Sequence, residues 1–137
     1  MHTGRTILAI ILIIIVIYII YIQLNSQNQP IPTDPRMQEI EVRVRQTVRE
    51  AGYDANFNLH YSTKINATKN KKDIYLCNTC ISDDHLGLDK MTYVGLHEAA
   101  HVLSKSRNHS KEWKEILGKL LYKAAELGFL DPHKIHM

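Results

Sequence analysis

Residues 91–113 are the most informative segment of this chain and read MTYVGLHEAAHVLSKSRNHSKEW. Their pattern predicts a helix that starts near Asp89, a good N-cap residue, and ends between Ser104 and Asn108. A further helix should begin at Ser110 and end at Gly128, because apolar residues recur there every three or four positions. The predicted inward-facing residues are Met91, Val94, Leu96, Ala100 and Leu103 in the first helix, and Trp113, Ile116, Leu117, Leu120, Leu121, Ala124 and Leu127 in the second.

The segment before these helices shows two kinds of pattern. In residues 36–51 apolar side chains lie three or four apart and Gly52 follows, which predicts an amphipathic helix. In residues 53–77 short apolar stretches such as FNLHYS and DIYLC are separated by the polar run NATKNKKD, which is typical of a turn. We therefore expect a small hairpin or two to three short strands, and an α+β domain over residues 36–137.

The N-terminal segment is apolar from Ile7 to Ile22 and contains no charged residue there. With its flanks the run is about 19 residues, or roughly 28 Å of helix, close to the thickness of a bilayer's hydrocarbon core. It is longer than a usual signal-peptide core and no Ala-x-Ala-type site follows, so an anchor is favoured over a cleaved signal. The predicted organisation is a transmembrane anchor at 1–24, a proline-rich linker at 25–35 and the domain beyond.

The charge distribution limits the partners and leaves the membrane orientation open. The chain has 17 Lys+Arg and 14 Asp+Glu, and all except Arg5 lie at or beyond Asp34. Positive and negative charges are therefore nearly balanced in the domain, and nucleic-acid binding is not expected. Arg5 before the span favours a cytoplasmic N-terminus. The sequons at Asn66 and Asn108 conflict with this, because a glycan on Asn108 would crowd His109. We expect a single-pass membrane protein whose orientation is undecided.

The centre of the informative segment is residues 97–101, HEAAH, which has the H-E-x-x-H pattern. On a helix His97 and His101 lie on one face about one turn apart, so both imidazoles can bind one metal ion. Glu98 is rotated by about 100° from His97, and its carboxylate can reach a water on the metal without binding the metal itself. The pattern predicts zinc, with Glu98 as the general base of a hydrolase.

A catalytic zinc site takes three protein ligands and leaves one position open. His109 is the favoured third ligand, because the loop after His101 can return the chain to the metal before Ser110. Carboxylates on the next helix are alternatives, since sites with two histidines and one glutamate also occur. These alternatives are Glu112, Glu115 and Glu126. Trp113 is predicted to be a core residue that braces the site.

Two other groups of residues have open assignments. Cys77 and Cys80 form one C-x-x-C, without the second cysteine pair of a structural zinc site. We expect two half-buried residues at a strand end, with a disulfide if the domain faces an oxidising compartment. Peptide hydrolysis also needs a donor for its oxyanion. Four tyrosines are equal candidates, namely Tyr61, Tyr75, Tyr93 and Tyr122.

Residues 73–132 resemble the SprT-like and WLM group of zincin metallopeptidases. They look most like the small predicted metallopeptidases encoded by large DNA viruses. The resemblance implies three histidine ligands, a glutamate base and an aromatic residue after the third ligand, which are His97, His101, His109, Glu98 and Trp113. It also implies a small antiparallel sheet with an edge strand near residues 74–76 that pairs with an extended peptide. The crosslink proteases of that group have DNA-binding regions, and this chain shows no basic patch, so their substrate is not expected here.

These patterns together predict a membrane-anchored zinc metallopeptidase that acts on a peptide or protein substrate. The alternative is a membrane-anchored binding or virion assembly protein that uses zinc only for folding. This alternative is considered because a small domain often needs a bound metal ion to be stable. Glu98 favours the enzyme, since structural zinc sites usually fill all four positions with cysteine and histidine and do not use a neighbouring acid.

Overall fold

Four helices and one three-stranded sheet form the described part of the chain. The computed structural model describes residues 2–27, 34–106 and 108–134. The chain divides into two compact units, Met1–Pro30 and Ile31–Met137, and the second has the predicted α+β composition. The elements are α1 (His2–Gln27), α2 (Arg36–Glu50), β1 (Asn58–Ser62), β2 (Ala67–Lys69), β3 (Asp73–Cys77), α3 (Gly87–Leu103) and α4 (Lys111–Glu126).

α1 is the apolar N-terminal helix. Its span Thr3–Leu24, 22 residues, is long and apolar enough to cross a membrane, and every side chain of that span is exposed. At about 1.5 Å per residue the span measures roughly 33 Å, enough for a hydrocarbon core of about 30 Å. A signal sequence passes the same test. The helix continues to Gln27, so residues 25–27 are helical rather than part of the predicted linker, and residues 28–33 of that linker lie outside the described residues.

The core of the domain lies between α2, α3, α4 and β3. The apolar stripe of α2 is fully buried and consists of Met37, Ile40, Val44 and Val48. Ile74 and Leu76 alternate along β3 and join the same cluster. α3 approaches α2 closely because Gly95 has no side chain, and a Cβ at that position would lie 2.6 Å from Val44 Cγ2. The absence of a side chain at this position therefore permits the close packing of α3 on α2.

The predicted inward faces of α3 and α4 are mostly correct. Met91, Leu96 and Ala100 are buried on α3, whereas Val94 and Leu103 are only partly buried. On α4 the buried residues are Trp113, Ile116, Leu117, Leu120 and Ala124. Gly52 and Gly128 follow α2 and α4 with φ angles of 92° and 74°, a conformation that glycine adopts without strain. Both helices therefore end where the glycines predicted.

The sheet is mixed, so the prediction of an antiparallel sheet is wrong. Its strand order is β1-β3-β2, with β1 parallel and β2 antiparallel to β3. β2 lies inside the polar run NATKNKKD, whose composition predicts only a turn. Because this extra strand reverses the chain direction between β1 and β3, β3 runs parallel to β1. The predicted edge strand at residues 74–76 is also wrong, since β3 is paired on both sides and β1 and β2 are the outer strands.

The start of α3 differs from the prediction at Asp89. The helix begins at Gly87, where a Cβ would lie 2.1 Å from the carbonyl oxygen of Ser82, so only glycine fits this tight entry. Asp89 instead lies 3.4 Å from Arg43 Nη1 in an ion pair. α4 starts as predicted, because Ser110 Oγ accepts a hydrogen bond from the backbone N–H three residues later, at 3.2 Å.

The two cysteines form a disulfide. Cys77 and Cys80 have a Cα–Cα distance of 5.3 Å. Cys77 is fully buried at the end of β3, while Cys80 is exposed in the loop that follows. The prediction of a strand-end position is confirmed for Cys77, but neither residue is half-buried.

Candidate metal centre

α3 carries the first two histidines of the site. His97 and His101 are one helical turn apart, and their ring centroids lie 5.1 Å from each other. Both rings are partly buried. Ala99 and Ala100 lie between them and are completely buried. These small side chains keep this turn of α3 against the core, while the two imidazoles lie together at its surface.

His109 comes from the loop between α3 and α4. Its Nε2 lies 3.0 Å from Nε2 of His101, and its ring centroid lies 5.0 Å from that of His97. One ring nitrogen of each histidine lies within 4.8 Å of those of the other two. The structure therefore brings the three predicted ligands into one cluster, with His109 as its exposed member.

Trp113 packs against all three imidazoles. Its ring stacks on His109 with a centroid distance of 4.0 Å and an interplanar angle of 16°. The same ring lies 4.8 Å from His97 and 5.2 Å from His101. Its Nε1 donates a hydrogen bond to the carbonyl oxygen of His97 at 3.4 Å. Trp113 is 6% exposed, so it is the core residue that was predicted and also the wall against which the cluster packs.

The alternative carboxylate ligands interact elsewhere. Glu112 Oε1 accepts a hydrogen bond from the backbone N–H of Lys105 at 2.7 Å. Glu115 and Glu126 pair with lysines of α4, at 3.9 Å and 2.8 Å. Within the described ranges, none of these three carboxylates joins the histidine cluster.

Burial lowers the pKa of both histidines on α3. Desolvation is the main cause of the lowered pKa of His97. The charge of Glu98 raises this pKa, and His109 lowers it further. Desolvation lowers the pKa of His101 to about 4, with added repulsion from the other two histidines and Lys71. Both imidazoles are therefore neutral at neutral pH, and a neutral imidazole keeps the lone pair that a metal ion requires.

Glu98 is almost buried, with 8% exposure, and is oriented by the sheet. Thr68 Oγ1 lies 2.6 Å from Glu98 Oε2 and 3.0 Å from the Glu98 carbonyl oxygen, and its one hydroxyl hydrogen is shared between these acceptors. Thr68 is the central residue of β2. No pattern in the sequence predicted this partner, because the strand that carries it has only three residues. Asn70 could have indicated the β2–β3 hairpin, since asparagine favours the left-handed positions of a two-residue hairpin turn.

A cleft of about 750 Å³ adjoins these residues. The cleft is lined by Glu98 and His101 of α3 and by residues 68–71 of the β2–β3 hairpin. A carboxylate and a member of the histidine cluster therefore face the same open space. Lys71, which also lines the cleft, is a second residue of this site that no sequence pattern predicted.

Tyr93 is the tyrosine beside the cluster, with its ring centroid 6.4 Å from that of His97. The Tyr61 hydroxyl donates to a glutamate of α2 at 3.0 Å, and burial raises the pKa of Tyr61 to about 12. Tyr75 stacks on a histidine of β1, and Tyr122 is exposed on α4. Of the four candidates for the oxyanion donor, Tyr93 alone has a ring contact with one of the three clustered histidines.

Part of the chain is similar to a viral protein. It is 37% identical over 73 residues to the uncharacterized protein 136R of Invertebrate iridescent virus 6. The match includes 49% of this chain and 39% of that protein, so the chain spans about two-fifths of its relative's length. No protein-family model matches the chain. No solved structure matches it either.

Proposed function

We propose that this chain is a membrane-anchored zinc metallopeptidase of the zincin type. In this proposal His97, His101 and His109 are the metal ligands and Glu98 is the general base. The main support is that three imidazole nitrogens lie within 4.8 Å of one another next to an almost buried glutamate. Helical periodicity alone explains the proximity of two of these histidines. His109 comes from a separate loop and stacks on Trp113 beside the helix pair, which gives a set of three imidazoles able to share a metal ion.

The donor set is suited to zinc. Three histidines leave one tetrahedral position open, which is the pattern of catalytic zinc sites. With Zn–N distances of about 2.0–2.1 Å, tetrahedral ligand atoms lie roughly 3.4 Å apart. The ring nitrogens of His101 and His109 are 3.0 Å apart, and all three ligand nitrogens lie within 4.8 Å of one another, a range that includes that separation. Zinc at this position would supply a Lewis acid that polarises the peptide carbonyl and makes water easier to deprotonate.

Glu98 performs the proton transfers in the proposed reaction. Its carboxylate accepts a proton from the attacking water as the new C–O bond forms, and donates it to the amine nitrogen as the C–N bond breaks. Thr68 holds Oε2 of this carboxylate, which leaves Oε1 to accept the proton. Tyr93 is the proposed donor to the oxyanion that develops on the former carbonyl oxygen.

The proposed substrate is an extended peptide in the cleft. β2 is an outer strand, and its residues Thr68 and Lys69 line the same cleft as Glu98 and His101. A peptide can add to the outer edge of such a strand through backbone hydrogen bonds. This binding mode would bring a peptide bond next to the base and the metal ligands.

The proposed location is a host or virion membrane. The apolar span Thr3–Leu24 is long enough to anchor the chain. The similarity to an iridescent virus protein supports a viral setting. We propose that α1 is retained as a single-pass anchor rather than removed as a signal.

The test uses the full-length chain in detergent micelles, with zinc measured by elemental analysis and cleavage measured on a mixed peptide library. About one zinc per chain is expected. Glu98→Gln should retain zinc and lose cleavage by about 10²–10⁴-fold, because only the proton transfer is removed. Glu115→Gln is the matched control, since it makes the same change on the exposed face of α4.

Each result separates the proposal from its alternative. Zinc in the unmutated chain together with cleavage that is lost in Glu98→Gln would support the peptidase. Zinc without cleavage of any peptide would favour the membrane-anchored binding or assembly protein. A folded chain that binds no zinc would contradict both, because both require the histidine cluster to hold the metal.

A further inference from the structure

The turn between β2 and β3 has an unusual backbone conformation. Asn70 and Lys71 have φ angles of 55° and 56°, and the N–H of Lys72 donates to the carbonyl of Lys69 at 3.2 Å. Two consecutive left-handed residues match the twist of a hairpin, but a lysine is rarely found in this conformation. The conformation of Lys71 therefore needs a compensating interaction.

That interaction is made by the Lys71 ammonium group. Its Nζ donates to the carbonyl oxygens of His101 and Ser104, both at 2.9 Å, and to the carbonyl oxygen of Ser106. An ammonium group has three N–H donors, and three carbonyls accept them. The group also lies at the C-terminal end of α3, where the helix dipole favours a positive charge. Lys71 is thus fully bonded and electrostatically matched to this end of the helix.

The three carbonyls belong to the two parts of the chain that carry the cluster. His101 is itself a proposed ligand at the end of α3. Ser104 and Ser106 belong to the loop that leads to His109. One side chain therefore joins the second ligand to the start of the loop that delivers the third.

Resting on the proposed zinc site, we infer that Lys71 is a positioning residue that sets the separation between His101 and His109. It acts through backbone carbonyls and does not bind the metal. Its location on the hairpin also joins the third-ligand loop to the strand whose Thr68 orients Glu98. The β2–β3 hairpin thereby holds the base at one end of the site and the exposed ligand at the other.

The experiment uses the full-length chain in detergent with two variants and one control. Lys71→Met removes the three donors and keeps the length of the side chain. Lys71→Arg restores a cation with several donors. Lys72→Met makes the same change at the next, exposed position of the hairpin. Zinc affinity is measured by competition with a chromophoric chelator, and amide hydrogen exchange is measured on the metal-free chain.

The expected result is that Lys71→Met weakens zinc binding by up to about tenfold, the lower end of the usual ~10–100-fold effect of removing a group that orients a metal ligand. Exchange should become faster in residues 104–110 of the metal-free variant while α2, β3 and α4 keep their protection. Lys71→Arg should recover part of the affinity, and Lys72→Met should match the unmutated chain.

Two results would overturn the inference. The first is unchanged zinc affinity in Lys71→Met. The second is a uniform rise in exchange across α2, β3 and α4, which would make Lys71 a general stabilising residue. Failure of the unmutated chain to bind zinc is a different outcome, because it would overturn the proposed function itself.

Discussion

The two histidines on α3 and the third histidine, His109, are positioned by different means. His97 and His101 lie on a helix that packs closely against the core, with completely buried alanines between them. His109 lies in an exposed loop and is held by stacking on Trp113. A helix places its own side chains by local geometry, whereas a loop residue reaches its position only through contacts with distant parts of the chain.

This difference has consequences for stability. The Cα atoms of the α3 pair can change their separation only if the helix unfolds, because backbone hydrogen bonds set the spacing. The His109 loop depends on a small number of side-chain contacts, including the bond from Lys105 N–H to Glu112. Local opening in proteins occurs most easily in such loops. We therefore expect the helix pair to dominate zinc affinity and the loop to be sensitive to remote changes.

The largest expected effect is the loss of a helix ligand. His101→Ala should weaken zinc binding by roughly 10²–10³-fold, since apparent zinc binding free energies of about 10–16 kcal/mol are shared among few ligands. His109→Ala should cost less, roughly tenfold, because water can replace an exposed ligand. Chelator competition measures both. His133→Ala, an exposed histidine outside the cluster, is the control. Equal losses at His101 and His109 would remove the distinction between helix and loop.

The second largest expected effect concerns the carboxylate of Glu98 on α3. Thr68→Val keeps the shape of the side chain but removes the hydroxyl that donates to Glu98. Because a hydrogen bond to a charged group contributes about 1.5–3 kcal/mol, kcat should fall by at least about tenfold while zinc affinity stays the same. Thr79→Val, an exposed threonine outside the cleft, should leave kcat unchanged. A matching fall in zinc affinity would mean that Thr68 supports the whole fold rather than the base.

A third effect tests the close packing of α3. Gly95→Ala should reduce the free energy of unfolding by about 1–3 kcal/mol, because its Cβ would lie 2.6 Å from a methyl group of Val44. Gly118→Ala makes the same change at an exposed helical position with open space around it. That control should raise the free energy of unfolding by about 0.5–1 kcal/mol. Urea unfolding measures both, and equal values would show that α3 does not need its close approach to α2.

The smallest effect concerns pH. The unfolded chain binds a proton at His101 near its ordinary pKa of 6.5, whereas the folded chain does so at about 4. As pH falls through this range the metal-free protein should lose stability, by about 1 kcal/mol for a partly exposed ring. Urea unfolding at about pH 7.5 and about pH 4.5 measures this loss. His101→Gln should reduce the pH dependence, and exposed His133→Gln should not. An unchanged slope in His101→Gln would show that this ring is not desolvated.

The helices were predictable because their signals are local. The spacing of apolar residues in 36–51 and 110–128 and the glycines after them predicted both helices correctly. The sheet was predicted less well, because a three-residue strand such as Ala67–Lys69 is too short to show a period. Missing β2 led directly to the wrong orientation of β1 and β3 and to the wrong edge strand.

The same division applies to the candidate site. Sequence spacing alone determined that His97 and His101 share one helix face, because a helix has a fixed number of residues per turn. The sequence favoured His109 over three glutamates as the third ligand but did not determine where His109 lies. Only the tertiary structure brought His109 to the pair, set Trp113 behind all three rings and placed Thr68 on Glu98. The physical reason is that these contacts join residues far apart in the sequence, and their distances depend on how whole elements pack.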